Sequence, residues 1–266
     1  MVGVAVIALL VYLAARQLSA KGQFDADLYR PFLEEPQIYE RLAEGLRNTL
    51  KAAAFGLALA LPLGVVLAFG RLSRRWFIRI PSVGIIEFFR ATPLLLLILF
   101  FFLSFPIVFS TRLEPLTALV LGLTLYNGAV IAEIIRAGIQ SLPTGQSEAA
   151  LAVGLTRGQA QRLVLLPQAV RIMLPSLVSQ LVVLLKDTSL GFIVGFEELL
   201  RIGGQLVEVL RNPVQTYVLV ALVYIVINIS LGRLASWIES RQRRTYGAAV
   251  PVQTVESGMG QAGGGP

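Results

Sequence analysis

The chain is laid out as long apolar runs parted by short charged links. The runs are Val2 to Ala15, Ala52 to Phe69, Ile80 to Phe109, Thr117 to Ile135, Ile172 to about Val194, and Pro213 to Trp237. Only Glu87 and Arg90 interrupt the third, and only Lys186 and Asp187 the fifth. A bilayer core takes about 20 residues of helix to cross, and a backbone in lipid must satisfy its own hydrogen bonds. Runs of this kind predict an all-α, polytopic membrane helix bundle with about five core spans and one N-terminal span. The first run has fourteen residues, short for a span. No basic n-region precedes it, so it is read as a transmembrane helix whose start is clipped or misassigned at Met1, not as a signal peptide.

The links divide the chain into an N-terminal helix (1–16), an extracytoplasmic segment (17–44), a transmembrane domain (45–240) and a tail (241–266). Arg16 to Lys51 holds six basic and six acidic residues with Pro31 and Pro36, which reads as solvated and partly helical. Arg71, Arg74, Arg75 and Arg79 interleave with Trp76, Phe77 and Ile78, the composition of a cytoplasmic interfacial elbow. Arg136 to Arg171 is too polar to span, Glu197 to Asn212 is charged and loop-like, and Gly247 to Pro266 reads as disordered. If the spans alternate, the links Arg71–Arg79, Arg136–Arg171 and Arg241–Arg244 share one side and hold eleven Lys or Arg, against three in Ser110–Leu116 and Glu197–Asn212. The positive-inside rule then makes the first set cytoplasmic, in a multi-pass protein of the cytoplasmic membrane.

Composition narrows the chemistry. The 266 residues are 55% hydrophobic and 15% charged, and mean hydropathy is +0.72. Cysteine and histidine are both absent, which excludes disulfides, thiolate or imidazole metal sites, and Ser-His-Asp or Cys-His catalysis. The net charge of +7 sits at the ends of apolar runs, as membrane orientation requires, and not in a stripe for nucleic acid.

One polar link carries a motif. It reads Ser147-Glu148-Ala149-Ala150-Leu151-Ala152-Val153-Gly154-Leu155-Thr156 and runs on to Val164-Leu165-Leu166-Pro167. The residue types predict two short helices with a break: Gly154 closes the first in the left-handed conformation, Thr156 and Gln159 cap the second, and Pro167 ends it. Ala149 and Ala150 offer a flat face to a docking protein. Glu148, Ala149, Ala150, Gly154, Val164, Leu166 and Pro167 fall at the spacing of the EAA loop, and the chain resembles the permeases of ABC importers, with valine at 164 where isoleucine is more usual. Flanking strings narrow the resemblance to permeases for polar amino acids, of histidine, glutamine, glutamate, arginine and opine type: Phe89 to Leu95, Gly128 to Ile139, Leu166-Pro167-Gln168-Ala169 and Leu185 to Leu190. It covers roughly Gly45 to Arg241 and is greatest to glutamate permeases.

The resemblance implies a type I ABC importer permease fold, with the EAA loop at about 140–168. It also implies partners: an ATPase subunit docked at that loop, an extracytoplasmic solute-binding protein, and a second permease chain, sister or self. No Walker A motif or Gly-Lys dipeptide is present, so ATP is expected on the partner, with no cofactor and no enzymatic step in this chain. Coupling to the ATPase is expected at Glu148, Ala149, Ala150, Gly154, Leu166 and Pro167.

Four further charges sit three apart in pairs, Glu133 with Arg136 and Glu87 with Arg90, which reads as local ion pairs at the membrane boundary. Lys186 and Asp187 lie inside a span, where a charge costs about 2.5–3.5 kcal/mol on insertion scales unless it faces the bundle interior. Two readings stand for them. One is a structural ion pair; the other is a polar solute pathway with Tyr126, Asn127, Thr188 and Ser189, whose lysine suits a glutamate-type solute. A Ser-Lys dyad of Ser189 and Lys186 is disfavoured, because Asp187 holds the lysine charged. A secondary transporter or channel remains the alternative class, and it predicts inverted repeats, of which the sequence has none.

Overall fold

A computed structural model describes residues 2–246, and every element in it is helical. Helix α1 is Val2–Ala20, nineteen residues, so it continues past Arg16 through Gln17 to Ala20, all compatible with a helix. A 3-10 turn at Ala26–Leu28 and α2, Arg30–Glu34, lead to α3, Pro36–Arg71. The first ring of α3 is Pro36, at the position where a missing N–H costs nothing. The last nine residues of the segment read as extracytoplasmic are therefore the start of a 36-residue helix.

The apolar run from Ile80 to Phe109 is not one straight helix. Helix α4, Trp76–Ala91, is followed by α5, Leu94–Leu99, a π-helical stretch at Phe100–Ser104 and α6, Phe105–Phe109. The chain bends by 100° between α4 and the rest. Pro93 is the cause: it lacks a donor and forces Thr92 out of the helical region, to φ −80°, ψ 127°. Helix α7 is Pro115–Gln140 and α8 is Thr144–Ala152. After α9, Arg157–Gln159, a π-helical stretch at Ala160–Leu165 runs straight into α10, Leu166–Asp187. A 3-10 turn at Thr188–Val194, α11 at Leu199–Leu210 and α12 at Pro213–Tyr246 complete the order.

Five helical stretches are long and apolar enough to cross a membrane, and the bent pair makes a sixth. Three expectations are corrected. Pro167 does not end a helix; it lies in the first turn of α10, and the π-helical stretch before it takes up the lost hydrogen bond. The fifth span accordingly begins well before Ile172. The link at 197–212 is not a loop, because Leu199, Ile202 and Gly203 give α11 a buried face. The tail set at 241–266 starts inside α12, which runs to Tyr246, and the disorder expected for 247–266 lies outside the described residues.

The core forms around α3 and α7. A Cβ on Gly64 would come within 2.6 Å of the Ile131 side chain, and one on Gly128 within 2.7 Å of Leu63. Glycine at both places lets the two helices approach closely, the device that replaces hydrophobic driving force inside lipid. Ala60, Ala68, Ile86, Ala129, Ala132 and Ala169 pack around this contact, which fixes α7 and α10 on either side of the α8–α9 link.

Candidate functional site

The α8–α9 link is built by local chemistry. Gly154 has φ +84°, its N–H donates to Leu151 O at 3.0 Å, and the Leu155 N–H donates to Ala150 O at 3.2 Å. These are the two bonds of a Schellman ending. Thr156 then opens the next helix with a capping box: its N–H donates to Gln159 Oε1 at 2.9 Å, and the Gln159 N–H donates to Thr156 Oγ1 at 3.4 Å. Glu148, Ala149 and Gly154 are exposed, Leu166 is half-buried and Pro167 is exposed. Ala150 is buried, so the flat alanine face is Ala149 alone. Ala150 turns inward because α8 must seat one side against the helices it joins. Val153 and Leu163 stand out beside the loop, 77% and 66% exposed.

Above the loop the charged pairs are joined into one network. Arg136 Nε donates to Glu133 Oε1 at 2.8 Å, and Arg136 also reaches Gln140. Arg90 lies 3.8 Å from Glu87. Arg71, at the end of α3, reaches both carboxylates, at 2.7 Å to Glu87 and 3.3 Å to Glu133. Sequence reasoning found the two pairs and missed the arginine between them, since Arg71 is far from both in the chain.

The six residues considered for the solute pathway do not gather in one place. Asn127 is fully buried, donating to Leu123 O at 2.9 Å and accepting from Gln180 Nε2 at 2.7 Å. Tyr126 is half-buried and packs on the cluster of Leu94, Ile98 and Leu119. Thr188 is buried with its hydroxyl on Leu185 O at 2.6 Å, and Ser189 donates to Lys186 O at 2.7 Å. Lys186 and Asp187 form no ion pair among the described residues. At about 100° per residue neighbours on a helix point different ways, so Asp187, seven after Gln180, shares the face turned to α7. Lys186 is exposed and lines a groove of about 520 Å³ with Tyr217, Tyr224 and Asn228 of α12.

A second polar node pins α11. Glu198 is wholly buried at its N-cap and accepts from Leu200 N at 2.8 Å, Arg201 N at 2.7 Å and the Tyr224 hydroxyl at 2.9 Å. Burial pushes the Glu198 carboxyl above the usual range, and the donors oppose that only in part. Thr49 of α3 accepts from Leu199 N at 3.1 Å. The cue in the sequence is a Glu just ahead of an apolar stripe, an N-cap signal inside a stretch that charge had marked as loop.

Residues 60–244 match the family of binding-protein-dependent transport system inner membrane components. The chain is 46% identical over 248 residues to the glutamate transport system permease protein of Corynebacterium glutamicum, covering 89% of each. It is 34% identical over 203 residues to the glutamine transport system permease protein of Escherichia coli strain K12, covering 76% of this chain and 93% of that one. The solved structure of an amino acid ABC transporter with histidines superposes at a TM-score of 0.75 with 31% identity, over 79% of this chain and 98% of that one. The bundle has the type I ABC importer permease fold. With the matched region spanning α3 to α12 and including the α8–α9 link, the chain belongs to the binding-protein-dependent transport system inner-membrane component family, as an amino-acid permease.

Proposed function

We propose that the chain carries a glutamate-type amino acid across the cytoplasmic membrane, powered by a separate ATPase subunit seated on the α8–α9 link. An extracytoplasmic binding protein delivers the solute, a second permease chain completes the pore, and ATP is bound by the partner alone. The observation that carries the ATPase reading is the outward face of the link. Glu148, Ala149, Val153 and Leu163 are each exposed on or beside the two-helix turn, and exposed apolar side chains there suit a protein contact. Through α7 and α10 any push on that face reaches the membrane helices. The 46% identity to a glutamate permease supports the solute class, and the exposed Lys186 in its groove offers a carboxylate a counter-charge. Asp187, Thr188 and Ser189 at and just past the end of α10, and Tyr126 and Asn127 within α7, are spread along the helices that border the pathway.

The test is uptake in proteoliposomes holding the chain with its ATPase and binding protein. Gly154→Arg is expected to insert normally and to lose transport and stimulated ATP hydrolysis together. Nothing lies within 4 Å of a Cβ at this position, so the fault is backbone strain in the left-handed turn, not a clash. Gly154→Asn, which tolerates that conformation, should retain most uptake. Normal uptake by the arginine variant refutes the coupling role. Competition of glutamate uptake by a panel of amino acids tests the solute, and a preference for lysine or arginine overturns the glutamate reading.

A further inference from the structure

Between the α8–α9 link and the elbow that joins α3 to α4 lies a cavity of about 580 Å³, a size usual for small-molecule sites, about 300–1,000 Å³. Arg74 of the elbow and Arg157 in the first turn of α9 line it, as do Ser147 and Gln161. Ile139 and Leu165 form part of an apolar floor, and no carboxylate lines the cavity. Neither guanidinium has an ion-pair or hydrogen-bond partner among the described residues. This contrasts with Arg71, Arg90 and Arg136 nearby, each paired with a glutamate. Two guanidiniums facing one space without an acid between them repel each other until an anion is shared, and their planar forks suit a phosphate above other anions.

The place of the cavity says where such a phosphate comes from. Trp76 and Phe77, next to Arg74, are 69% and 56% exposed, and aromatic side chains of that kind settle at the level of lipid headgroups. An apolar floor beneath a basic rim is the form of a headgroup site on the cytoplasmic side, where the leaflet is anionic. Leu166, one of the residues expected to couple to the ATPase, lines the cavity, whereas Glu148, Ala149 and Val153 do not, so the cavity borders the face assigned above to the ATPase. We infer that this cavity binds the phosphate of an acidic phospholipid through Arg74 and Arg157. The lipid bridges the elbow to the link and restrains their relative motion. The inference does not depend on which solute the protein carries.

The experiment uses the full-length chain in vesicles, with Trp237→Phe leaving Trp76 as the single tryptophan. Vesicles of phosphatidylcholine carry a minor share of either brominated phosphatidylglycerol or brominated phosphatidylcholine. Trp76 should be quenched at least about twofold more by the acidic lipid, because the local basic charge enriches it. Arg74→Gln with Arg157→Gln should abolish that preference. Arg75→Gln, which removes an elbow charge outside the cavity, should keep it. Equal quenching by the two lipids overturns the proposal, as does a preference that survives the double variant or is lost equally with Arg75→Gln. The same proteins in a neutral detergent, titrated with inorganic phosphate, separate the sources. Phosphate that raises the melting temperature of the parent but not of the double variant, and that also erases the lipid preference, assigns the site to free phosphate and overturns the lipid. No response to phosphate beside an intact lipid preference supports the lipid.

Discussion

The two ends of the bundle use polar groups in opposite ways. At the end that carries the α8–α9 link, Glu87, Arg90, Glu133, Arg136 and Arg71 form a half-exposed network, and the link offers its carboxylate to solvent. At the other end, and midway, a few polar groups are sealed inside: Glu198 with Tyr224 and two backbone N–H groups, Thr49 with Leu199, Asn127 with Gln180. Exposed ion pairs are weak and screened, so they exchange partners at small cost. Buried polar groups lose their full solvation when a partner is removed, so they hold one geometry. The difference leaves the ion pairs near the α8–α9 link free to exchange and holds the α11 end in one geometry.

Replacing Glu198 should break the comparison most severely. Glu198→Ala leaves two N–H donors and a tyrosine hydroxyl without an acceptor, and the expected loss is about 3 kcal/mol or more. Thermal unfolding in detergent measures it, with Glu198→Gln expected to lose less, because one acceptor oxygen stays. The sign of the pH effect follows from the raised carboxyl. A folded-state pKa above the unfolded value gives stability that is full below the unfolded value and is lost as pH rises through the folded one. Stability of the parent relative to Glu198→Gln should therefore decline upward from the usual glutamate range. A difference independent of pH would show that the node is not buried as described.

A smaller effect is expected where α7 meets α10. Asn127→Leu strands the Gln180 amide, at about 1–2 kcal/mol, and Gln180→Leu beside it should restore part of the loss. A double-mutant cycle on melting temperature reads the coupling, and additivity of the two substitutions would dissolve the pair. The smallest effect on stability should come from Arg71→Gln. Its carboxylate partners are partly solvated, so the loss stays within about 1 kcal/mol. Uptake per ATP hydrolysed should nonetheless fall, because the ends of α3, α4 and α7 are no longer held to each other. Unchanged coupling in this variant would reduce the network to ordinary surface charge.

Much of the end that carries the α8–α9 link is legible along the chain, because its determinants are local. Gly154 with its left-handed turn, the box of Thr156 and Gln159, and the Glu133–Arg136 pair all join residues within five positions of one another. The break at Pro93 was equally local, but hydropathy alone hid it, since the residues on both sides are apolar. Pro167 shows the limit of local rules: a proline both stops helices and starts them, and only the π-helical stretch ahead of it decides which. The solute-pathway residues were grouped by depth, whereas helix rotation sends Lys186 towards α12 and Asp187 towards α7.

The sequence by itself determined the helical class, the number of spans and the form of the α8–α9 link. These depend on hydrophobic length and on bonds that close within a few residues. Only the tertiary structure decided that Arg71 joins two distant acid–base pairs, that Glu198 is the buried anchor of α11, and that Arg74 and Arg157 share a cavity. Each of those facts is a meeting of residues far apart in the chain, set by the angle at which glycine-faced helices cross, and no local pattern of hydrophobic and polar positions encodes that angle.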